Sequence, residues 1–264
     1  MSDETLYKIG NGTRATAAPA VDTKGANDRP VGETTVPPSA HATRHTEESP
    51  RLFIDEKATN RTRARYQRIA ASYDRMEWLM ERRHQVWRAR LWPLVEGPRV
   101  LEVGVGTGKN IPYYPAGMEV TAIDLTPGML ERAQRVAAEL NASVELSLGD
   151  VQALDFADNT FDDVVATFVF CSVPDPILGL QEVARVLKPS GRLLLLEHVR
   201  AGGSLGTFMD LLNPFAVRVM GANINRRTLK NIRQSGLVLD RVEDIGLRGI
   251  FKLIIARKSQ TSVK

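Results

Sequence analysis

The chain of 264 residues holds one cysteine, Cys171, so it cannot close an internal disulfide. Cys171 lies in an apolar run, which reads as a buried reduced thiol and points to a cytosolic setting. No apolar stretch approaches the roughly 18–20 residues needed to cross a bilayer, and the amino terminus has no apolar centre of a secretory signal. A soluble or peripheral protein is therefore expected. Extreme charge is also missing. The net charge of +4 and pI near 9.3 lean basic and permit an acidic surface as partner. Hydrophobic residues at 43% and charged residues at 25% are globular values, so one ordinary domain with an appendage fits better than two domains. No internal repeat is present.

Residues 1–55 are rich in Thr, Ala, Pro, Gly, Asn and Asp and have no apolar period, which predicts a disordered tail. Over 56–95 the pattern changes. Tyr66, Ile69, Ala70, Tyr73, Met76, Leu79, Met80 and Trp87 recur at helical spacing and predict two consecutive helices. Between Arg61 and Arg90 nine arginines face three acids, a local charge of about +6. From 96 to 264 short apolar runs alternate with helical patterns, as in a parallel sheet with crossover helices. Strands are predicted at 99–104, 119–124, 143–148, 162–169 and 192–198, with helices near 127–140 and 177–187. Lys188-Pro189-Ser190-Gly191 closes the second helix. Runs 237–244 and 250–257 read as a final antiparallel hairpin, unlike the six-stranded dinucleotide fold.

Three strand ends carry the chemistry. The first strand runs into Glu102-Val103-Gly104-Val105-Gly106-Thr107-Gly108, glycines at the carboxyl edge of the sheet, where a ligand can approach backbone that has no Cβ. A plain tight turn also uses such glycines. The spacing is G-x-G-x-G, Lys109 stands where a dinucleotide fingerprint wants its third glycine, and no G-K-[ST] follows, so phosphate binding is disfavoured. Asp124 closes the second strand twenty positions after Gly104 and can accept from both ribose hydroxyls; capping the helix near Pro127 is its alternative role. Gly149-Asp150-Val151 ends the third strand with a carboxylate for an adenine amino group and an apolar contact beside it. Together these suit an adenosine without phosphates.

The segments LEVGVGTG (101–108), AIDLTPGML (122–130), GDVQALDF (149–156), FDDVVATFVFCSVPDP (161–176) and EVARVLKPSGRLLLLEH (182–198), with Tyr66 and Tyr73-Asp74 upstream, carry a resemblance. Residues about 60–258 resemble class I S-adenosylmethionine (SAM) dependent methyltransferases of the ubiquinone and menaquinone biosynthesis methyltransferase-like group. The resemblance implies an α/β, doubly wound, mostly parallel seven-stranded sheet with an antiparallel C-terminal hairpin. It implies that Glu102, Gly104, Gly106, Thr107 and Gly108 hold the methionine part of SAM, Asp124 the ribose, and Asp150 with Val151 the adenine. Leu125, Met129, Tyr66 and Tyr73 complete the cofactor site, while Thr167 and Phe168 border the donor methyl. Methyl transfer needs no metal and no covalent enzyme intermediate. His198, at the end of the fifth strand, is the candidate base, with a structural histidine as the alternative. Tyr73 covers the cofactor or orients the acceptor, unless it only packs in a core. Nothing activates Cys171 as a nucleophile.

Two segments bear on the acceptor. Apolar residues crowd 202–221, the place of a substrate-covering insertion or a buried helix pair. The arginine-rich segment, which includes Trp78, Trp87 and Trp92, suits an anionic membrane surface or a solvated helix face. Phe170-Cys171-Ser172-Val173-Pro174 with Glu197-His198-Val199 is similar to membrane-associated thiol methyltransferases, and the basic helix to bacterial phosphatidylethanolamine N-methyltransferases. The expected acceptor is a lipophilic small molecule or phospholipid, a headgroup amine favoured over a quinone carbon or a lipophilic thiol, handled by a monomer on the inner face of the membrane. A nicotinamide oxidoreductase lacks its glycine spacing here, and a nucleic-acid module lacks interleaved aromatics and an Asp/Asn-Pro-Pro-Tyr type sequence after strand four.

Overall fold

The computed structural model describes residues 54–220 and 222–259. The tail expected over 1–55 lies outside the described residues, apart from its last two. Asp55 caps helix α1 (Glu56–Ile69) by accepting from the Ala58 N–H. A single 3-10 turn leads into α2 (Tyr73–Leu91), the second of the two expected helices.

The sheet contains β1 (Arg99–Val103), β2 (Glu119–Asp124), β3 (Glu145–Leu148), β4 (Phe161–Thr167), β5 (Leu187–His198), β6 (Leu237–Gly246) and β7 (Phe251–Lys258). Its order is β3-β2-β1-β4-β5-β7-β6. The five strands from β3 to β5 run parallel, and β7 lies antiparallel between β5 and β6. The expected seven-stranded sheet with its C-terminal hairpin is therefore present. Strand order reverses between β1 and β4, and a cleft opens at such a switch point.

The central strands read as continuous apolar runs because both faces are covered. Leu101, Val164, Leu193, Leu195 and Ile254 join one core, which α4 (Pro176–Val186) completes with Leu180 and Val183. Their chain neighbours Val100, Val165, Leu194, Leu196, Leu253 and Ile255 point to the other core. There they meet Trp87, Leu91 and Trp92 from α2 and the turn after it. Two of the three tryptophans thus serve the fold, and only Trp78 is exposed. Truncating any of these leucines to alanine costs about 2–5 kcal/mol.

Local chemistry sets the helix starts. Thr126 is the residue before α3 (Pro127–Glu139), whose first position suits proline, and Asp175 caps α4 by accepting from Ile177 and Leu178 N–H groups. Beyond α4 the Lys188–Gly191 link stays extended and belongs to β5, with a register shift against β4 between Phe161 and Asp163. Helices α5 (Gly203–Met220) and α6 (Thr228–Gln234) follow β5.

Candidate cofactor and acceptor site

A cleft of about 750 Å³, open mouth included, lies at the carboxyl ends of β1, β2, β3 and β4. Of the residues named from sequence, Tyr66, Tyr73, Gly104, Gly106, Asp124, Leu125, Met129, Asp150, Val151, Thr167 and Phe168 line it. Glu102, Thr107, Gly108 and His198 do not.

The glycine loop shows why. Gly104 and Gly106 both have positive φ, +72° and +57°. A Cβ on Gly104 would stand 2.5 Å from the Val169 side chain, whereas one on Gly106 would meet nothing closer than 4.0 Å, so Gly106 turns its bare face to the cleft. Gly108 instead lets the loop close on α3, where a Cβ would sit 3.0 Å from the Ala133 backbone. Thr107 donates to Asp74 at the start of α2, 2.7 Å away. Glu102 is fully buried beneath the loop, accepting from Asn110 and the Tyr114 hydroxyl, and the Asn110 amide also donates to Thr167. Burial pushes the Glu102 carboxyl up to about 7 despite those hydrogen bonds. Asn110 thus links Glu102 to Thr167.

Asp124 is held by two backbone donors, Gly106 N–H at 2.9 Å and Thr126 N–H at 2.8 Å. The N-cap position of α3 belongs to Thr126, so the capping alternative for Asp124 lapses. Burial raises the Asp124 carboxyl above its ordinary value, and the two N–H groups oppose that rise. Each oxygen accepts one backbone hydrogen bond on a cleft-lining residue, leaving further acceptor capacity for hydroxyls. Asp150 is oriented by Gln152, whose backbone and amide both donate to it. Gln152 is buried, also donates to Thr59 on α1 and accepts from Asp175 N–H. As a lone amide in GDVQALDF, it gave no sign in the sequence of being a hub.

Helices α1 and α2 close one side. Gln67 accepts from Gly128 N–H, the Tyr66 and Ser172 hydroxyls share a 2.5 Å hydrogen bond, and Arg63 donates to the Leu125 carbonyl. Asp74 takes an ion pair from Arg132 besides the Thr107 bond. Burial works to raise the Asp74 carboxyl, but Thr107, Arg132 and nearby Lys109 prevail and hold it below the usual range. Lys109, at the position a third glycine would occupy, pairs with Glu81 at 2.9 Å.

After β4 the chain turns sharply at Phe168, whose φ of +59° is a strained value for a side chain of this size. Its ring packs 4.5 Å from that of His84. Glu197 stabilises this turn: one carboxyl oxygen accepts from both Val169 and Phe170 N–H at 2.8 Å. Glu197 is fully buried, and burial drives its carboxyl up to about 8. His198 Nε2 lies 3.1 Å from the Asn223 carbonyl, and burial lowers the imidazole below its ordinary value. It is thus a neutral ring engaged with backbone, outside the cleft lining, which matches the structural alternative for it. Burial and neighbouring Glu197 push the Cys171 thiol far up, so it stays protonated.

These observations define an α/β domain with an open cleft at its topological switch point. Residues 101–195 match the family described as methyltransferase domain. Over that stretch the chain is similar to methyltransferase domains. The chain is 43% identical over 104 residues to phosphatidylethanolamine N-methyltransferase of Cereibacter sphaeroides, which covers 39% of this chain and 51% of that one. It is 37% identical over 133 residues to demethylmenaquinone methyltransferase of Renibacterium salmoninarum, 50% and 54% of the two chains. It spans about half the length of these curated relatives. The fold is shared with a SAM-dependent methyltransferase of Thermotoga maritima, described as a possible histamine N-methyltransferase, at a TM-score of 0.56 and 21% identity, covering 74% and 98% of the chains.

Proposed function

We propose that this protein transfers the methyl group of SAM to a small lipophilic or membrane-associated acceptor, a phospholipid headgroup amine being favoured. The cleft fits the cofactor on its own chemistry: a bare Gly106 face, a carboxylate at Asp124 with spare acceptor capacity, and Asp150 beside Val151. SAM, when bound, supplies a methyl group on a cationic sulfur that an acceptor lone pair displaces. Asp124 would accept from the ribose hydroxyls and Asp150 from the adenine amine, while Tyr66 and Tyr73 cover them.

The observation that favours an amine is the make-up of the remaining cleft wall. Tyr66, Tyr73, Thr167, Phe168 and Ser172 supply hydroxyls and aromatic surface, whereas His198 and Cys171 stay outside the lining. A primary ammonium must shed its proton, to water at the open cleft, before its lone pair is free. Methylation at a phenolic ring carbon must also remove the ring C–H proton, and so gains more from a dedicated base. The relative named for phosphatidylethanolamine supports the same reading, and the one named for demethylmenaquinone supports ring-carbon methylation as the second. We assign Tyr73 to acceptor orientation and leave His198 a positioning role.

A peripheral seat on an anionic membrane fits the exposed arginines Arg61, Arg68, Arg75, Arg82 and Arg83, although Arg88 and Arg90 are spent on Glu81 and Glu243. No helix among the described residues is long and apolar enough to cross a membrane. Incubation of the purified chain with radiolabelled SAM and separated phospholipid, quinone and thiol pools tests the proposal. Label in the amine-bearing lipids supports it; label confined to quinones or thiols moves the assignment there, and no label in any pool sinks it.

A further inference from the structure

Helix α5 carries four large apolar side chains in the open. Phe208, Leu211, Leu212 and Phe215 are 55, 76, 40 and 68% exposed. Their i, i+3, i+4, i+7 spacing places them on one face. Elsewhere on the helix, Met209 and Ala216 are buried, and Asn213 fastens it by donating to Asn223 and accepting from Ile224 N–H. The sequence left this segment between a substrate cover and a buried pair of helices; one helix lies here, with its greasiest face uncovered.

The charges around that face are those of a membrane seat. No acid stands on it: Asp210 lies to one side, bound by Arg200 and Asn225, while exposed Arg218 borders the last turn. On α2, Trp78 is 68% exposed, with exposed Arg75 and Arg82 three residues before and four after it. Tryptophan beside arginines that reach for phosphate is interfacial chemistry. Helix α2 adjoins the cleft edge through Asp74, which accepts from Thr107 of the glycine loop, and α5 follows the carboxyl end of β5 in the chain.

We propose that α5 inserts its Phe208, Leu211, Leu212 and Phe215 face into the acyl boundary of an anionic bilayer, with Arg75, Arg82 and Arg218 on lipid phosphates. Its purpose rests on the lipophilic-acceptor reading, since a lipid then reaches the cleft without crossing water; the binding itself does not.

The test uses the full chain and vesicles of phosphatidylcholine with or without phosphatidylglycerol. Leu211→Ser and Phe215→Ser change exposed side chains, and each should weaken partitioning about tenfold or more, in high salt as in low. Arg75→Gln with Arg82→Gln should weaken only the salt-sensitive part that needs phosphatidylglycerol. Because Cys171 is buried, a dye on a Leu211→Cys variant reports that position, and its emission should shift blue on vesicle binding. Unchanged partitioning of the serine variants, or a dye that stays in water, overturns the proposal. So does a lipid-free dimer of the parent that the serine variants abolish, which would make the face a contact between two copies. S-adenosylhomocysteine titration of the same variants should be unaltered, so a failed methyltransferase reading and a failed membrane reading give different results.

Discussion

The Tyr66 hydroxyl lies 2.5 Å from the Ser172 hydroxyl, tying the first helix to the loop after β4 across the cleft. One hydrogen bond thus joins the cover to the wall that borders the proposed methyl position. Tyr66→Phe and Ser172→Ala should each weaken S-adenosylhomocysteine binding about three- to tenfold, the range of one net hydrogen bond. The double variant should be no worse than either single one, because both remove the same bond. Calorimetry checks this, and full additivity would show that the two hydroxyls act separately.

Asp124 should matter more. A carboxylate that accepts ribose hydroxyls is worth about 1.5–3 kcal/mol per charge-assisted bond, so Asp124→Ala is expected to weaken cofactor binding by about 10- to 100-fold. Asp124→Asn should fall between parent and alanine, because the amide oxygen still accepts from one of the two backbone N–H groups now on Asp124. KM for SAM should rise more than kcat falls. A kcat loss with unchanged KM would place Asp124 away from the ribose.

Much of this was legible in the sequence, for a physical reason. Strands β1 and β2 fall at their expected places because both are short apolar runs, closed by Gly104 and Asp124. What escaped was the direction of side chains under the loop. Glu102 looks like a ligand residue in one dimension, yet it lies buried beneath the loop, where Asn110 and Tyr114 donate to it. His198 and Glu197 are adjacent and equally polar, and nothing local shows that Glu197 meets the turn at Phe168 while His198 meets Asn223. Trp78, Trp87 and Trp92 share a helical pattern, but whether each faces core or solvent depends on β5 and β7, far along the chain.

The two glycines of the loop should separate stability from binding. Gly104→Ala drives a Cβ to 2.5 Å from Val169 at a φ of +72°, so a marked loss of thermal stability is expected. Gly106→Ala has the same backbone strain, about 1 kcal/mol, but no steric neighbour within ordinary contact. Its Cβ enters the space proposed for the cofactor, and S-adenosylhomocysteine affinity should fall at least about tenfold while the melting temperature drops only a few degrees. Equal affinities for parent and Gly106→Ala would remove the cofactor from this loop.

Glu197 gives the protein a pH dependence whose sign follows from its environment. Its carboxyl titrates at about 8 in the fold against 4.5 for a free glutamate, so the folded chain holds a proton that the unfolded chain has lost between those values. Stability from this group is complete below pH 4.5, declines as pH rises through the window and is gone above 8. Glu102, at about 7, acts in the same direction, whereas Asp74, held below 3.8, acts only at lower pH. Glu197→Gln cannot ionise, and its amide oxygen can still accept from Val169 and Phe170 N–H. Melting temperatures of the variant should therefore fall less steeply with pH than those of the parent and cross above them on the alkaline side. Glu197→Ala, which leaves both N–H groups buried and unsatisfied, should be less stable by about 1–3 kcal/mol for each orphaned donor at every pH. Parallel pH curves for parent and Glu197→Gln would mean that Glu197 is ionised in the fold and that the turn at Phe168 is held by a charge.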